Sequence, residues 1–123
     1  MHKSPEKITL NRKFALFDDH WSPRVVTELN GQQVKLVKFQ GAFVWHRHEH
    51  EDELFFVHRG EFMMEFRDRS VALEAGDMIV VPRGVEHRPV AEHEVEVMLF
   101  EPTGTMNTGN AIDPRTVIQP GRI

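Results

Sequence analysis

The sequence predicts an all-β domain, a sandwich or barrel of short strands. Three observations carry that prediction. Short runs alternate apolar and polar side chains, as strands with one buried face do. Gly, Pro and Asn-Gly punctuation separates these runs at close spacing. No helix-length periodicity occupies the middle of the chain.

Taken in order, "ITLNRKFALF" reads as a strand followed by a short helical turn, with Asn11 as its N-cap. "DDHWSPR" is a loop. "RVVTEL" and "QQVKLVKF" flank Asn30-Gly31, the dipeptide that favours a type I′ two-residue hairpin. "ELFFVHR", "EFMMEFR", "SVALE", "DMIVVP" and "EVEVMLFE" follow as strands. Gly60, Asp68-Arg69, Gly76 and the stretch from Pro82 to Pro89 separate them. Val95, Val97 and Leu99 alternate with Glu94, Glu96 and Met98, and Phe62, Met64 and Phe66 repeat the period. The closing "EPTGTMNTGNAIDPRTVIQPGRI" is rich in Gly, Pro and Asn and reads as a tail laid over the barrel or over a neighbouring subunit. No repeat or linker divides the chain. The expectation is one domain over 1–123, with a barrel core at about 24–101, an N-terminal strand and turn over 1–23 and a tail over 102–123.

Composition narrows the function. The 123 residues are 40% hydrophobic and 28% charged, ordinary for a globular domain, with a net charge of −4. Lys and Arg are scattered, which argues against nucleic acid or an anionic membrane as partner. No apolar stretch approaches the ~18 residues that span a bilayer, and "MHKSPEKITL" lacks the apolar core of a secretory signal. A cytoplasmic location is expected. Cysteine and tyrosine are absent, whereas histidine occurs eight times.

"HRHEHEDE", residues 46 to 53, concentrates three of those histidines among four acids. In an extended chain, residues i and i+2 share a face, with Cα atoms about 6.6 Å apart. His46 and His48 can therefore face one point while Arg47 faces away. After a turn, Glu53 opens the next strand, where hairpin geometry lets it swing over the histidine pair. Imidazole and carboxylate together suit a first-row divalent ion such as Fe, Mn, Ni, Co or Zn. A solvated acidic loop is the competing reading of this segment alone. The second segment, "GDMIVVPRGVEHRPV", bends at Pro82 and Gly84, and the rigid turn aims His87 back toward the barrel.

The two segments together resemble the paired motifs of the cupin superfamily, in its small single-domain metal-binding form. His46, His48, Glu53 and Gly60 match the first motif, and Gly76, Pro82, Gly84 and His87 match the second. The resemblance covers about residues 33 to 101. It implies a double-stranded β-helix, or jelly-roll, barrel holding a divalent transition metal on His46, His48, Glu53 and His87. Gly41 lies one residue nearer His46 than the family pattern has it, and Ala91 stands where the second motif often ends in Asn. Neither position is a ligand.

His50 shares the parity of His46 and His48 and is an outer-shell or alternative-ligand candidate. His58 has the parity of Leu54 and Phe56, away from the site. His20, His93 and His2 fall in apparent loops or near the N-terminus. Strand parity offers Phe55, Val57, Phe62, Met64, Phe66, Met78 and Val80 as pocket or core side chains. No second carboxylate or lysine presents itself as a general acid or base, so Glu53 is the candidate base.

The resemblance leaves three function classes open. The first is a metal-dependent enzyme on a small oxygenated metabolite, with dioxygenase-like chemistry ranked first and sugar or sugar-phosphate isomerase chemistry as the alternative. The second is a non-catalytic small-molecule-binding barrel, and the third is a structural barrel that retains metal. Relatives of this kind commonly pair, so a homodimer is expected, with "KITLNRKFALF" and the tail at the contact.

Overall fold

The computed structural model describes residues 4–123; His2 lies outside the described residues. One short helix, α1 (Leu10–Phe14), precedes seven strands. These are β1 (Arg24–Leu29), β2 (Gln32–Ala42), β3 (Glu53–Arg59), β4 (Glu61–Phe66), β5 (Ser70–Glu74), β6 (Met78–Val81) and β7 (His87–Pro102). All pairings among these seven strands are antiparallel. The main path runs β1-β2-β7-β3-β6, and β4 joins β7 to β5. The fold is the jelly roll that the sequence leads one to expect.

Asn30 and Gly31 both have positive φ, 52° and 75°, as the type I′ turn between β1 and β2 requires. The start of the chain differs from its expectation. The described residues preceding α1 form no strand, and Thr9 rather than Asn11 occupies the N-cap. Asn11 is drawn off by another partner, since its Oδ1 accepts a 2.7 Å hydrogen bond from His58 Nε2. His58 also stacks on Phe14 at 5.2 Å between ring centroids. Phe14 and Phe17 then bury against Leu36 on the outer face of β2. Each such burial is worth about 2–3 kcal/mol, so packing decides the path of this segment.

Strand β7 organises the barrel. Its first residues, His87 to Val90, pair with β4, and its later part pairs with β2 on one side and β3 on the other. Between the two parts the register with β2 jumps from Phe39–Val95 to Gly41–Ala91. The exposed residues Glu92, His93 and Glu94 bulge out there, letting one strand pair with β4 as well as with β2 and β3. Inside lie Val37, Phe39, Phe55, Val57, Phe62, Met64, Val95, Val97 and Leu99, all buried.

Met78 and Val80 correct a parity expectation, being 60% and 53% exposed. Strand β6 pairs with β3 so that Val81 stands opposite Glu53 and Ile79 opposite Phe55. That register turns Ile79 and Val81 inward and Met78 and Val80 out. The tail folds back on its own barrel. Asn107 ties it down by donating to the carbonyls of Trp21 and Arg115 and accepting from the Val117 amide. The chain end also pairs with β1, where the Ile123 amide donates to the Val25 carbonyl at 3.1 Å.

Candidate metal centre

Backbone pairing builds the site. His46 lies outside any regular strand but forms an antiparallel bridge with His87, the first residue of β7. The His46 amide donates to the His87 carbonyl at 3.1 Å, and the return bond is 2.9 Å. Two residues on, the Gly84 amide donates to the His48 carbonyl at 2.7 Å, fastening the Pro82–Gly84 turn to the histidine segment. The alternation expected from sequence holds here. His46 and His48 are buried, while the outward-facing Trp45 lies under the Arg67 guanidinium at 3.9 Å and Arg47 pairs with Glu49.

His46, His48, Glu53 and His87 are all buried, and each offers a ligand atom within 4.8 Å of the others. Glu53 Oε1 stands 3.3 Å from His48 Nε2 and 3.7 Å from His87 Nε2. Two of the imidazoles have their orientation and tautomer set by the main chain. His46 Nδ1–H donates to the Val44 carbonyl and His87 Nδ1–H to the Val85 carbonyl, both at 2.9 Å. Their Nε2 lone pairs are thereby turned to the centre, the arrangement seen in metal-binding histidines. His50 is exposed and stays out of the cluster.

The donors fit a cation. His48 Nε2, Glu53 Oε1 and His87 Nε2 are buried without a hydrogen-bond partner. Each such orphan costs about 1–3 kcal/mol unless something else satisfies it. Bonds of about 2.1 Å to one ion place neighbouring donors about 3–4 Å apart, compatible with the spacings present.

Electrostatics divides the four groups. Burial and the neighbouring His87 push His46 down to about 4, so its ring is neutral and ready to ligate. For His48, burial favours the neutral ring, but the adjacent Glu53 carboxylate outweighs it and raises the pKa. Burial opposes ionisation of Glu53 as well, yet contacts with Glu101, His48 and His87 hold its carboxyl well below the usual range.

Two residues at the site escaped sequence reasoning. Glu101 and Lys35 are 1% and 2% exposed, and Lys35 Nζ donates to Glu101 Oε1 at 2.9 Å and to the Thr105 carbonyl at 3.2 Å. Glu101 stands across from Glu53 on the paired strand, and burial together with the Glu53 charge raises the Glu101 pKa well above the usual value. Their signal was present. Glu101 continues the inward period of Val95, Val97 and Leu99, as Lys35 does that of Val37 and Phe39.

A cavity opens beside His46 and Glu53, walled by Trp21, Phe39, Phe43, Phe55, Leu99 and Asn107 among others. At about 20 Å³ it has room for roughly one water. Trp21 narrows it by stacking on Phe39 and Phe43 at 4.6 and 4.5 Å. The tail closes the side nearest the histidines. A side chain at Gly109 would collide with the Arg47 carbonyl and press on the His46 ring.

Comparison with known proteins supports the fold. The family model described as "Cupin domain" matches residues 34–101. The crystal structure of a cupin-2 domain containing protein from Shewanella frigidimarina is 52% identical, with TM-score 0.76, covering 77% of this chain and 93% of that one. The crystal structure of protein NMB1881 from Neisseria meningitidis is 33% identical, with TM-score 0.73, covering 80% of this chain and all of that one, 100%. The uncharacterized protein YdbB of Bacillus subtilis is 41% identical over 64 residues, 51% of this chain. The match spans 57% of the length of that relative.

Proposed function

The chain belongs to the cupin family, and from that membership we propose that it is a metal-dependent enzyme acting on a small oxygenated metabolite, with dioxygenase-like chemistry. The divalent ion, one of Fe, Mn, Ni, Co or Zn, would be held by His46, His48, Glu53 and His87. One observation carries the reading: four buried donors converge within 4.8 Å, three of their atoms lacking any other partner.

When bound, such an ion supplies a Lewis acid and, as iron(II), a site for oxygen chemistry. The chain's own groups supply the rest. Main-chain carbonyls of Val44 and Val85 keep the His46 and His87 rings turned inward. The aromatic wall excludes bulk water, which strengthens every polar contact inside. Glu53 is the one carboxylate on the cavity wall, and its neighbours keep it ionised. It is therefore the group placed to take a proton from a ligand hydroxyl or acidic C–H. The wall offers no Lys or Arg for a phosphate, which favours a small carbonyl, enediol or carboxylate compound over a sugar phosphate.

No helix among the described residues is long and apolar enough to cross a membrane. The homodimer and the cytoplasmic location belong to the same proposal. The outer edge of β6, with Met78 and Val80 exposed, supports pairing, and a monomer by light scattering would refute it.

Elemental analysis of protein purified without added metal tests the centre, with about one equivalent of a first-row metal expected. Oxygen uptake by iron(II)-loaded protein against diketones, catechols and thiols tests the chemistry. Thermal stabilisation by organic acids or sugars without turnover would make the barrel a binding module instead.

A further inference from the structure

Lys35 and Glu101 form an ion pair inside a barrel whose core is largely apolar, Val, Leu, Phe and Met among its side chains. A buried ion pair is commonly no more stabilising than apolar side chains of the same volume, so packing alone does not account for it. Its place in the sheet suggests what does. Strands β3 and β7 pair Leu54 with Phe100, so one step further Glu53 stands across from Glu101. On its other side Glu53 faces Val81, which offers no hydrogen bond. Glu53 turns Oε1 toward His48 and His87, and Glu101 is the polar side chain beside it on the neighbouring strand. Glu101 is itself held, because Lys35 grips its Oε1 while the Thr105 carbonyl fixes Lys35. Its Oε2 is buried with no hydrogen-bond partner.

We propose that Lys35 and Glu101 are positioning residues for the metal centre: Lys35 fixes Glu101, and Glu101 fixes the carboxylate of Glu53 in the orientation that faces the three imidazoles. The inference rests on the metal reading above and adds to it an outer shell reached from β2 and β7. Removing an outer-shell partner of a ligand typically weakens metal binding about 10–100-fold.

Cobalt(II) titration tests the proposal, since the visible spectrum of the bound ion reports ligand geometry independently of activity. Wild-type protein should bind one cobalt(II). Glu101→Leu, which cannot hydrogen-bond Glu53, should bind about 10–100-fold more weakly and with an altered spectrum. Glu101→Gln alone keeps an oxygen for Lys35 Nζ and an N–H beside Glu53, and should retain the wild-type affinity and spectrum. Lys35→Met alone retains both carboxyl groups and should still alter the spectrum; it decides the matter if Glu101→Leu does not fold. Folded variants with lowered melting temperature but wild-type affinity and spectrum would overturn the proposal, leaving the pair a structural role only. Wild-type protein that binds no cobalt(II) would instead defeat the metal reading itself.

Discussion

His46 and His87 exchange both backbone hydrogen bonds across an isolated antiparallel bridge, and their ring centroids lie 4.3 Å apart. The two motifs are therefore joined by main chain before any ion arrives. Each ring is then turned by a carbonyl two residues before it, Val44 for His46 and Val85 for His87. A cluster built this way is held by main chain, so single side chains of it should be replaceable without unmaking the barrel.

His87→Ala should accordingly abolish tight metal binding, with a loss beyond the ~100-fold typical of outer-shell changes. The backbone bridge does not need the ring, so circular dichroism should show an unchanged β signature. Metal content by elemental analysis and a cobalt(II) titration check the outcome. Undiminished binding by the folded variant would exclude His87 as a ligand.

The pH dependence of stability should carry a His46 signature in metal-free protein. Its folded value of about 4 lies below the unfolded 6.5, so between these values the unfolded chain binds a proton that the native one does not. Stability from this group is therefore lost as pH falls from 6.5 toward 4, by up to about 3 kcal/mol. Glu101, raised by burial, works in the opposite sense above the carboxylate range. The His46 share must be read as the difference between wild type and His46→Gln in urea melts across that window. Parallel curves for the two proteins would contradict it.

Metal affinity should follow His48. Its value is raised above the ordinary histidine value, with the Glu53 carboxylate outweighing burial, so below that value an arriving ion displaces a proton from the ring. The metal-bound form holds fewer protons, so affinity must rise with pH and fall on acidification. Below the His48 value the slope should approach about tenfold per pH unit from this group alone. Calorimetry in buffers of different ionisation enthalpy would count the released proton; equal affinity from pH 8 to 5 would rule the coupling out.

Much of this architecture was legible in the sequence because it rests on period two and on turn chemistry. Asn30-Gly31 named its turn, and "HRHEHEDE" with "PRGVEH" marked, in type, order and spacing, the four side chains that the fold brings together. Met78 and Val80 were misplaced because inward or outward is decided by the register of β6 on β3, which no local pattern encodes. Glu101 and Lys35 were missed for a different reason. A charged residue at an apolar phase reads as the end of a buried run, and only a partner from another strand makes its burial tolerable. The tail had no periodicity to read, as its place depends on single side-chain bonds such as those of Asn107.

That tail supplies the last prediction. Asn107 makes three hydrogen bonds at once, to the Trp21 carbonyl at 3.1 Å, the Arg115 carbonyl at 2.9 Å and the Val117 amide at 2.8 Å. It thereby pins Trp21, which narrows the cavity, to the strap whose Gly109 backs the His46 ring. Asn107→Ala removes these bonds but no proposed ligand and no core aromatic. The strap should open more often while the barrel persists, at a stability cost of about 1–3 kcal/mol. Since about 1.4 kcal/mol corresponds to a factor of ten in an equilibrium, a chelator such as EDTA should extract bound cobalt(II) on the order of tenfold faster. Equilibrium affinity should change less than the extraction rate, because the four donors keep their backbone supports. An extraction rate equal to that of wild type would mean that the ion leaves by a route the tail does not cover.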